Sequence, residues 1–154
     1  MIKLNRLTDY AVMILAQMGK EPGTITKSAS LAAETGLPQP TISKILKILT
    51  KKNLVVSYRG ANGGYSAAHS LDKISVADLI EALDGPLALT ACVEGASENC
   101  NVEAFCPVRG GWNRINKVIR AALEQVSLAE LCTPEISPRL PNYNSPNEIR
   151  RGLN

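Results

Sequence analysis

Apolar residues near the start of the chain recur at the three- and four-residue spacing of an amphipathic helix. This pattern predicts a first helix over about residues 5–19, which Gly19 and the Pro22-Gly23 pair would end. Asp9 lies on the opposite side of the helix from the apolar positions, so we expect its carboxylate to point outward. The apolar stripe consists of Leu7, Tyr10, Ala11, Ile14, Leu15 and Met18.

Two shorter helical segments with a proline-rich joint follow. Ser28 or Ser30 can cap the first segment, which runs to Gly36, and Pro40 suits the first position of the second. This layout is typical of a helix-turn-helix, although an ordinary helical hairpin with solvated lysines stays open here. The second segment has an inward apolar face of Ile42, Ile45, Leu46 and Leu49 and an opposite basic face of Lys44, Lys47 and Lys51.

The next stretch predicts a glycine-rich β-hairpin. Residues 54–58 and 65–68 have strand character, and residues 59–64 form the turn between them. A helix-turn-helix followed at once by such a hairpin is a winged helix, which favours DNA binding over a solvated helical hairpin. At the tip, Arg59 beside Gly60 can approach a minor groove closely, whereas the alternative is an ordinary surface arginine.

Two further helices are expected in the second half. Ser75 and Asp78 form the start of one that ends at Gly85-Pro86. A longer one begins at Pro107 and has a heptad stripe, which predicts pairing with a second copy of the chain or, alternatively, packing on its own domain. A dimer would place two reading heads on a two-fold operator. The stripe is Val108, Trp112, Ile115, Ile119, Ala122 and Val126.

Little regular structure is expected after the long helix. Residues 127–131 predict a last helical turn. Cys132 is interpreted as a small packing residue, with a cluster role as the alternative. From Thr133 onward, four prolines among polar residues indicate a disordered tail.

Charge and composition narrow the class of protein. Residues 1–65 contain nine Lys and Arg against three acidic residues, while residues 66–154 contain eight against eleven, so the N-terminal half is the part suited to phosphate. The apolar run of the first helix is too short for a signal peptide or a membrane span, which predicts a cytoplasmic protein. No glycine-rich phosphate loop or acid-base pair suggests catalysis, and we expect neither an enzyme nor a small-molecule substrate.

Three of the four cysteines lie close together in residues 86–106, which we call the cysteine segment. Cys92, Cys100 and Cys106 are separated by seven and then five residues. Thiols stay reduced in the cytoplasm, and three of them plus one outside ligand suit a soft metal centre such as an iron-sulfur cluster. Structural zinc and an idle cysteine-rich loop stay open as alternatives, although neither spacing is that of a zinc knuckle.

Taken together, these motifs resemble the iron-sulfur cluster regulator (IscR-like) family of winged-helix repressors. The matching stretches are residues 7–11, the wing at 59–65, residues 81–85 and the three cysteines before the long helix. Residues 84–90 and 106–109 are most similar to the branch that regulates the SUF cluster-assembly system. The resemblance covers residues 1 to about 132.

The resemblance implies a homodimer in which Cys92, Cys100 and Cys106 hold a [2Fe-2S] or [4Fe-4S] cluster whose state alters DNA binding. The chain departs from the type members of the family in its first spacing, seven residues instead of five, and in Arg109, which replaces a histidine. Arginine cannot ligate iron, so the fourth ligand must come from elsewhere. Asp9 matches the position from which nitric-oxide-sensing relatives supply a carboxylate across the dimer, and His69, the only histidine, ranks second.

We therefore predict a mainly α protein with a small β-wing: a winged helix-turn-helix domain (1–85), the cysteine segment (86–106), a dimerisation helix with a short terminal helix (107–132) and the tail (133–154). It would be a repressor that senses cluster status and controls cluster-assembly genes from a pseudo-palindromic operator. A nitric-oxide-sensing or thiol-redox repressor is the main alternative, and an iron-sulfur carrier a remoter one. The residues expected to contact DNA are Thr41, Ser43, Lys44, Lys47, Arg59, Gly60 and Tyr65.

Overall fold

The computed structural model describes residues 4–96, 100, 105–108 and 110–133. The fold is mainly helical with one two-stranded antiparallel sheet, which confirms the predicted winged helix. Most of the expected tail, from residue 134 on, lies outside the described residues. The elements are α1 (Arg6–Gly19), α2 (Ser28–Thr35), α3 (Gln39–Lys51), β1 (Val55–Tyr58), β2 (Gly64–Ala67), a 3-10 turn (Leu71–Lys73), α4 (Val76–Leu83), α5 (Gly111–Glu124) and α6 (Leu128–Leu131).

The helices α1, α2, α3, α4 and α6 and the strand β1 share one apolar core. We call this unit the head (residues 4–85 and 127–131). The predicted inward positions of α1 and α3 are buried except Leu7 and Tyr10, which are partly buried against the same core, so the helical periodicity located this core. Burial of such side chains is the main favourable contribution to folding. Fully buried side chains of the head include Ala11, Ile14, Leu15, Leu31, Ile42, Ile45, Leu46, Leu49 and Leu128.

The helix ends are only partly as expected. The side-chain oxygen of Ser75 accepts from the backbone N–H of Asp78, and the Asp78 carboxylate accepts from the N–H of Ser75, which confirms the predicted capping box. Neither Ser28 nor Ser30 caps α2: Lys27 occupies the cap position and makes no side-chain bond there. Pro40 is the second residue of α3, because the helix already begins at Gln39.

A turn at Asn53 leads the chain from α3 into the wing. Asn53 has a left-handed backbone with φ of 59°. The N–H of Leu54 donates to the carbonyl of Leu49 (2.9 Å) and that of Asn53 to Thr50 (3.1 Å), the hydrogen-bond pattern of a Schellman motif. This turn fixes the direction in which β1 leaves α3.

The wing is held by close backbone approaches. Val55 pairs with Ala67 and Tyr58 with Gly64, and an isolated bridge joins Thr26 to Tyr65 of β2. A Cβ atom on Gly64 would lie 2.7 Å from the carbonyl oxygen of Thr26, so only glycine fits there. The glycines of the hairpin therefore permit its packing as well as its turn.

The chain returns to the head after α5. This helix begins at Gly111, four residues later than expected from Pro107, because residues 107–108 form a turn instead. Ser127 forms a bridge with Ser75 and caps α6, and the N–H of Leu128 donates to Ile74 (2.8 Å). The head thus anchors the C-terminal end of α5. Among the described residues, no helix is long and apolar enough to cross a membrane.

Candidate functional site

Helix α3 presents its basic face to solvent. Lys44, Lys47 and Lys51 are exposed, whereas the predicted apolar face, Ile42, Ile45, Leu46 and Leu49, is buried in the head. In the first turn Ser43 is exposed and Thr41 is half-buried. The sequence-predicted division of α3 into an apolar and a basic face is therefore the division that the structure has. Three exposed ammonium groups along one helix are suited to a row of phosphates.

The wing adds one more exposed cationic side chain to the three lysines of α3. Arg59 is exposed at the start of the hairpin turn, and Gly60 follows it with φ of 101°, a conformation that favours glycine. Tyr65 is different: its side chain is half-buried against the core, and its backbone exchanges two hydrogen bonds with Thr26 (2.8 and 2.9 Å). The position of Tyr65 thus supports the wing, and its contact with DNA stays a prediction.

The cysteine segment carries three unpaired thiols. Cys92, Cys100 and Cys106 are free and half-buried, and the Cys92 Sγ lies 3.2 Å from the Thr90 Oγ1. Free thiols of this exposure fit the donor chemistry of a soft metal centre. Asp9 is exposed on α1. Within the described ranges, however, no three Cys, His, Asp or Glu side chains form a group able to hold a metal ion, so one protomer does not assemble the site there.

The remaining candidates lie apart from this segment. His69 is exposed and follows β2, at the edge of a cavity of about 390 Å³ that Met18 and Leu71 also line. Cys132 is exposed at the end of α6, so the expectation that it packs as a small buried residue is wrong. Partial burial still raises the pKa of the Cys132 thiol above its ordinary value. Arg109 lies outside the described residues.

Helix α5 leaves several large apolar side chains exposed. None of its residues is buried, and Trp112, Ile115 and Val118 are 39%, 47% and 63% exposed. Toward the head, Arg120 pairs with Glu81 of α4 (Nη1 to Oε1, 2.9 Å). Of the apolar stripe predicted from the sequence, Trp112 and Ile115 are thus exposed, whereas Ile119 is half-buried. An exposed stripe of this kind is typical of a surface that a partner covers.

Two asparagines of α5 form hydrogen bonds with the cysteine segment. Neither was predicted from the sequence to be a functional residue. Asn116 accepts from the N–H of Leu89 (3.1 Å) and donates to the carbonyl of Leu87 (2.7 Å). Asn113 accepts from the N–H of Glu94 (2.8 Å). Asparagine is a poor helix former, so two of them three residues apart inside a helix were the signal available in the sequence.

Comparison with known proteins places the chain among transcriptional regulators. A putative HTH-type transcriptional regulator of Mycobacterium tuberculosis, Rv1287, is 29% identical over 156 residues, which cover 98% of this chain and 96% of the relative. The structure of CymR, the global cysteine regulator of B. subtilis, superposes with a TM-score of 0.64 at 26% identity, covering 86% of this chain and 97% of CymR.

The structure of T. potens IscR superposes with a TM-score of 0.60 at 27% identity, covering 84% of this chain and 85% of that one. These relatives confirm the expectation of a regulator and not an enzyme. A family model named Rrf2 and described as an iron-dependent transcriptional regulator matches residues 4–134. Since this match spans most of the chain, the protein belongs to the Rrf2 family of transcriptional regulators.

Proposed function

We propose that the protein is a homodimeric transcription repressor that senses iron-sulfur cluster status and controls genes of cluster assembly. The observation that carries this proposal is the set of three free, half-buried cysteines in a segment hydrogen-bonded to α5. The iron-dependent character of the family and the likeness to IscR support the cluster.

Cys92, Cys100 and Cys106 would hold the cluster, and Asp9 from the second copy of the chain would complete the ligand set. A cluster bound there supplies an electron-accepting, oxygen-sensitive group. In the described part of one protomer these three thiols do not lie together as a group, so cluster binding would have to bring them together. All three thiols are half-buried, so the surrounding residues would limit the access of solvent to a cluster bound there.

The DNA interface would consist of α3 and the wing from each of two heads. Thr41, Ser43 and Lys44 would enter the major groove, and Lys47 would contact phosphates. At the wing, Arg59 would reach phosphates or the minor groove, since Gly60 allows close approach. Pairing of the exposed α5 stripes would set the spacing of the two heads, and a change in that spacing would change operator affinity.

The cluster is tested by purification without oxygen. The wild-type protein should be brown, with an absorption spectrum and iron and sulfide contents that define one cluster type. Cys100→Ala should be colourless, whereas Cys132→Ala should keep the colour, because Cys132 is exposed at the end of α6. A colourless, iron-free wild-type protein that still binds its promoter would refute the cluster.

The DNA interface is tested by measuring promoter affinity against salt concentration. Lys47→Ala and Arg59→Ala should each weaken binding and lower the slope of log K against log salt by about 0.9. Lys117→Ala is the matched control, because Lys117 is equally exposed but lies on α5. If Lys47→Ala and Arg59→Ala bind as the wild type does, the DNA surface lies elsewhere.

A thiol-based regulator without iron is the second candidate. The free thiols and the likeness to a protein titled the global cysteine regulator favour it over a nitric-oxide sensor or an iron-sulfur carrier. Metal analysis of the anaerobically purified protein separates the iron-free regulator from the cluster sensor. A nitric-oxide-sensing repressor would differ in its response to nitrosylation, and an iron-sulfur carrier would have no use for the lysine face of α3.

A further inference from the structure

Polar groups of α5 bind the cysteine segment directly. Among the described residues, three hydrogen bonds made by Asn113 and Asn116 and one ion pair between Lys117 and Glu94 join residues 87–94 to this helix. The Lys117 and Glu94 side chains are 73% and 82% exposed and 3.8 Å apart, so solvent screens their attraction. The asparagines therefore make the stronger part of this polar contact.

Asn116 binds the segment as a neighbouring β-strand would. Its Oδ1 accepts from Leu89 and its Nδ2 donates to Leu87, so one side chain satisfies an N–H and a C=O two residues apart. Asn113, one turn earlier, satisfies the N–H of Glu94. These two points lie on either side of Cys92 in the sequence, so the backbone on both sides of that thiol is attached to α5.

The two asparagines lie in the N-terminal half of α5, whereas its contacts with the head are made by the C-terminal half and the residues after it. The C-terminal end of α5 is anchored to the head by the Ser75–Ser127 bridge and by Arg120 with Glu81. Its N-terminal half, which carries the exposed Trp112 and Ile115, is attached to the cysteine segment instead. The segment is thus positioned to move one half of the apolar stripe relative to the head.

We infer that Asn113 and Asn116 form a clamp through which the state of the cysteine segment sets the position of the N-terminal half of α5. They are positioning residues, because their hydrogen bonds to the segment go to backbone groups of Leu87, Leu89 and Glu94 and not to a thiol. This inference rests on the proposed function for its regulatory part, while the clamp itself is a property of the chain.

The clamp is tested first by amide hydrogen exchange on the full-length, metal-free protein. In Asn116→Ala the amide of Leu89 should exchange about tenfold faster, because it loses its acceptor. In Asn113→Ala the amide of Glu94 should respond in the same way. Alanine is the better helix former, so α5 itself is not weakened by either change. Lys117→Ala, which removes the exposed ion pair, should alter both rates by less than about twofold.

The regulatory part is tested by comparing promoter affinity of the iron-loaded and iron-free forms. In the double variant Asn113→Ala, Asn116→Ala the ratio of the two affinities should fall toward one, while one of the two forms keeps an affinity near wild type. A ratio that stays at the wild-type value, with faster exchange at Leu89, would show that the signal takes another route.

Failure of the clamp and failure of the proposed function give different results. If Asn116→Ala leaves exchange at Leu89 unchanged, the clamp is wrong even where the wild type holds iron. If the wild type binds no iron and shows no difference between forms, the cluster-sensing function and the regulatory inference are both wrong. The exchange rates of Leu89 and Glu94 then still decide whether the segment is bound to α5.

Discussion

The head and the N-terminal half of α5 distribute their apolar residues in opposite ways. In the head, α1 and α3 place leucines and isoleucines inside and charged groups outside. In the N-terminal half of α5, Trp112 and Ile115 lie outside, while Asn113 and Asn116 bind the cysteine segment. The head therefore buries its own apolar core, whereas α5 leaves apolar surface exposed, which the proposed dimer would cover.

The largest expected effect is in the core of the head. Leu15 is fully buried, and Leu15→Ala should lower the free energy of unfolding by about 3 kcal/mol through lost burial and a cavity. At a concentration where the protein is monomeric, Val118→Ala on α5 should cost less than about 0.5 kcal/mol, because Val118 is 63% exposed in one protomer. Urea unfolding at one protein concentration measures both, and equal costs would contradict the comparison.

A charge in the exposed stripe should separate the dimer and leave the head folded. Ile115→Asp should weaken dimerisation by about a hundredfold or more, because an unpaired carboxylate would be buried in the interface. Sedimentation velocity over a range of concentrations measures this loss, and circular dichroism reports the fold. Arg114→Asp is the matched control on the neighbouring exposed position. An Ile115→Asp protein that is still dimeric at micromolar concentration would place the interface elsewhere.

Glycines of the two regions should respond with opposite signs. Gly64→Ala should destabilise the head by about 2 kcal/mol, since the new Cβ would press on the Thr26 carbonyl and displace the wing. At Gly111, the first residue of α5, a Cβ would meet nothing within 4 Å, so Gly111→Ala should stabilise the protein by less than about 1 kcal/mol. Thermal unfolding compares the two, and a tolerated Gly64→Ala would disprove the tight approach.

The smallest effect concerns the thiol of Cys132. Because partial burial raises its pKa, less thiolate is present at pH 8 than in the unfolded chain, so iodoacetamide should react more slowly with the folded protein. The difference should shrink as the pH rises through the folded-state pKa. Peptide mapping by mass spectrometry in buffer and in urea gives the two rates. A folded-state rate above the unfolded one at pH 8 would contradict the raised pKa.

More of the candidate DNA surface than of the cysteine site could be predicted from the sequence. Lys44, Lys47 and Lys51 share a face because of the helical repeat alone, and the structure exposes all three. Cys92, Cys100 and Cys106 are close in the sequence, but how they meet depends on the path of a loop without a regular repeat. The asparagine clamp was missed because it joins residues 27 and 29 positions apart.

Short-range patterns in this chain were sufficient for α1, the two faces of α3, the hairpin and the Ser75–Asp78 capping box. Each of these depends on neighbours within about one or two turns, where spacing determines which side chains meet. Spacing could not reveal that Leu128 enters the core of the head, that Thr26 joins the wing or which residues of the α5 stripe stay exposed. Those features depend on which distant surfaces are already occupied once the head has packed, and packing is a property of the whole chain.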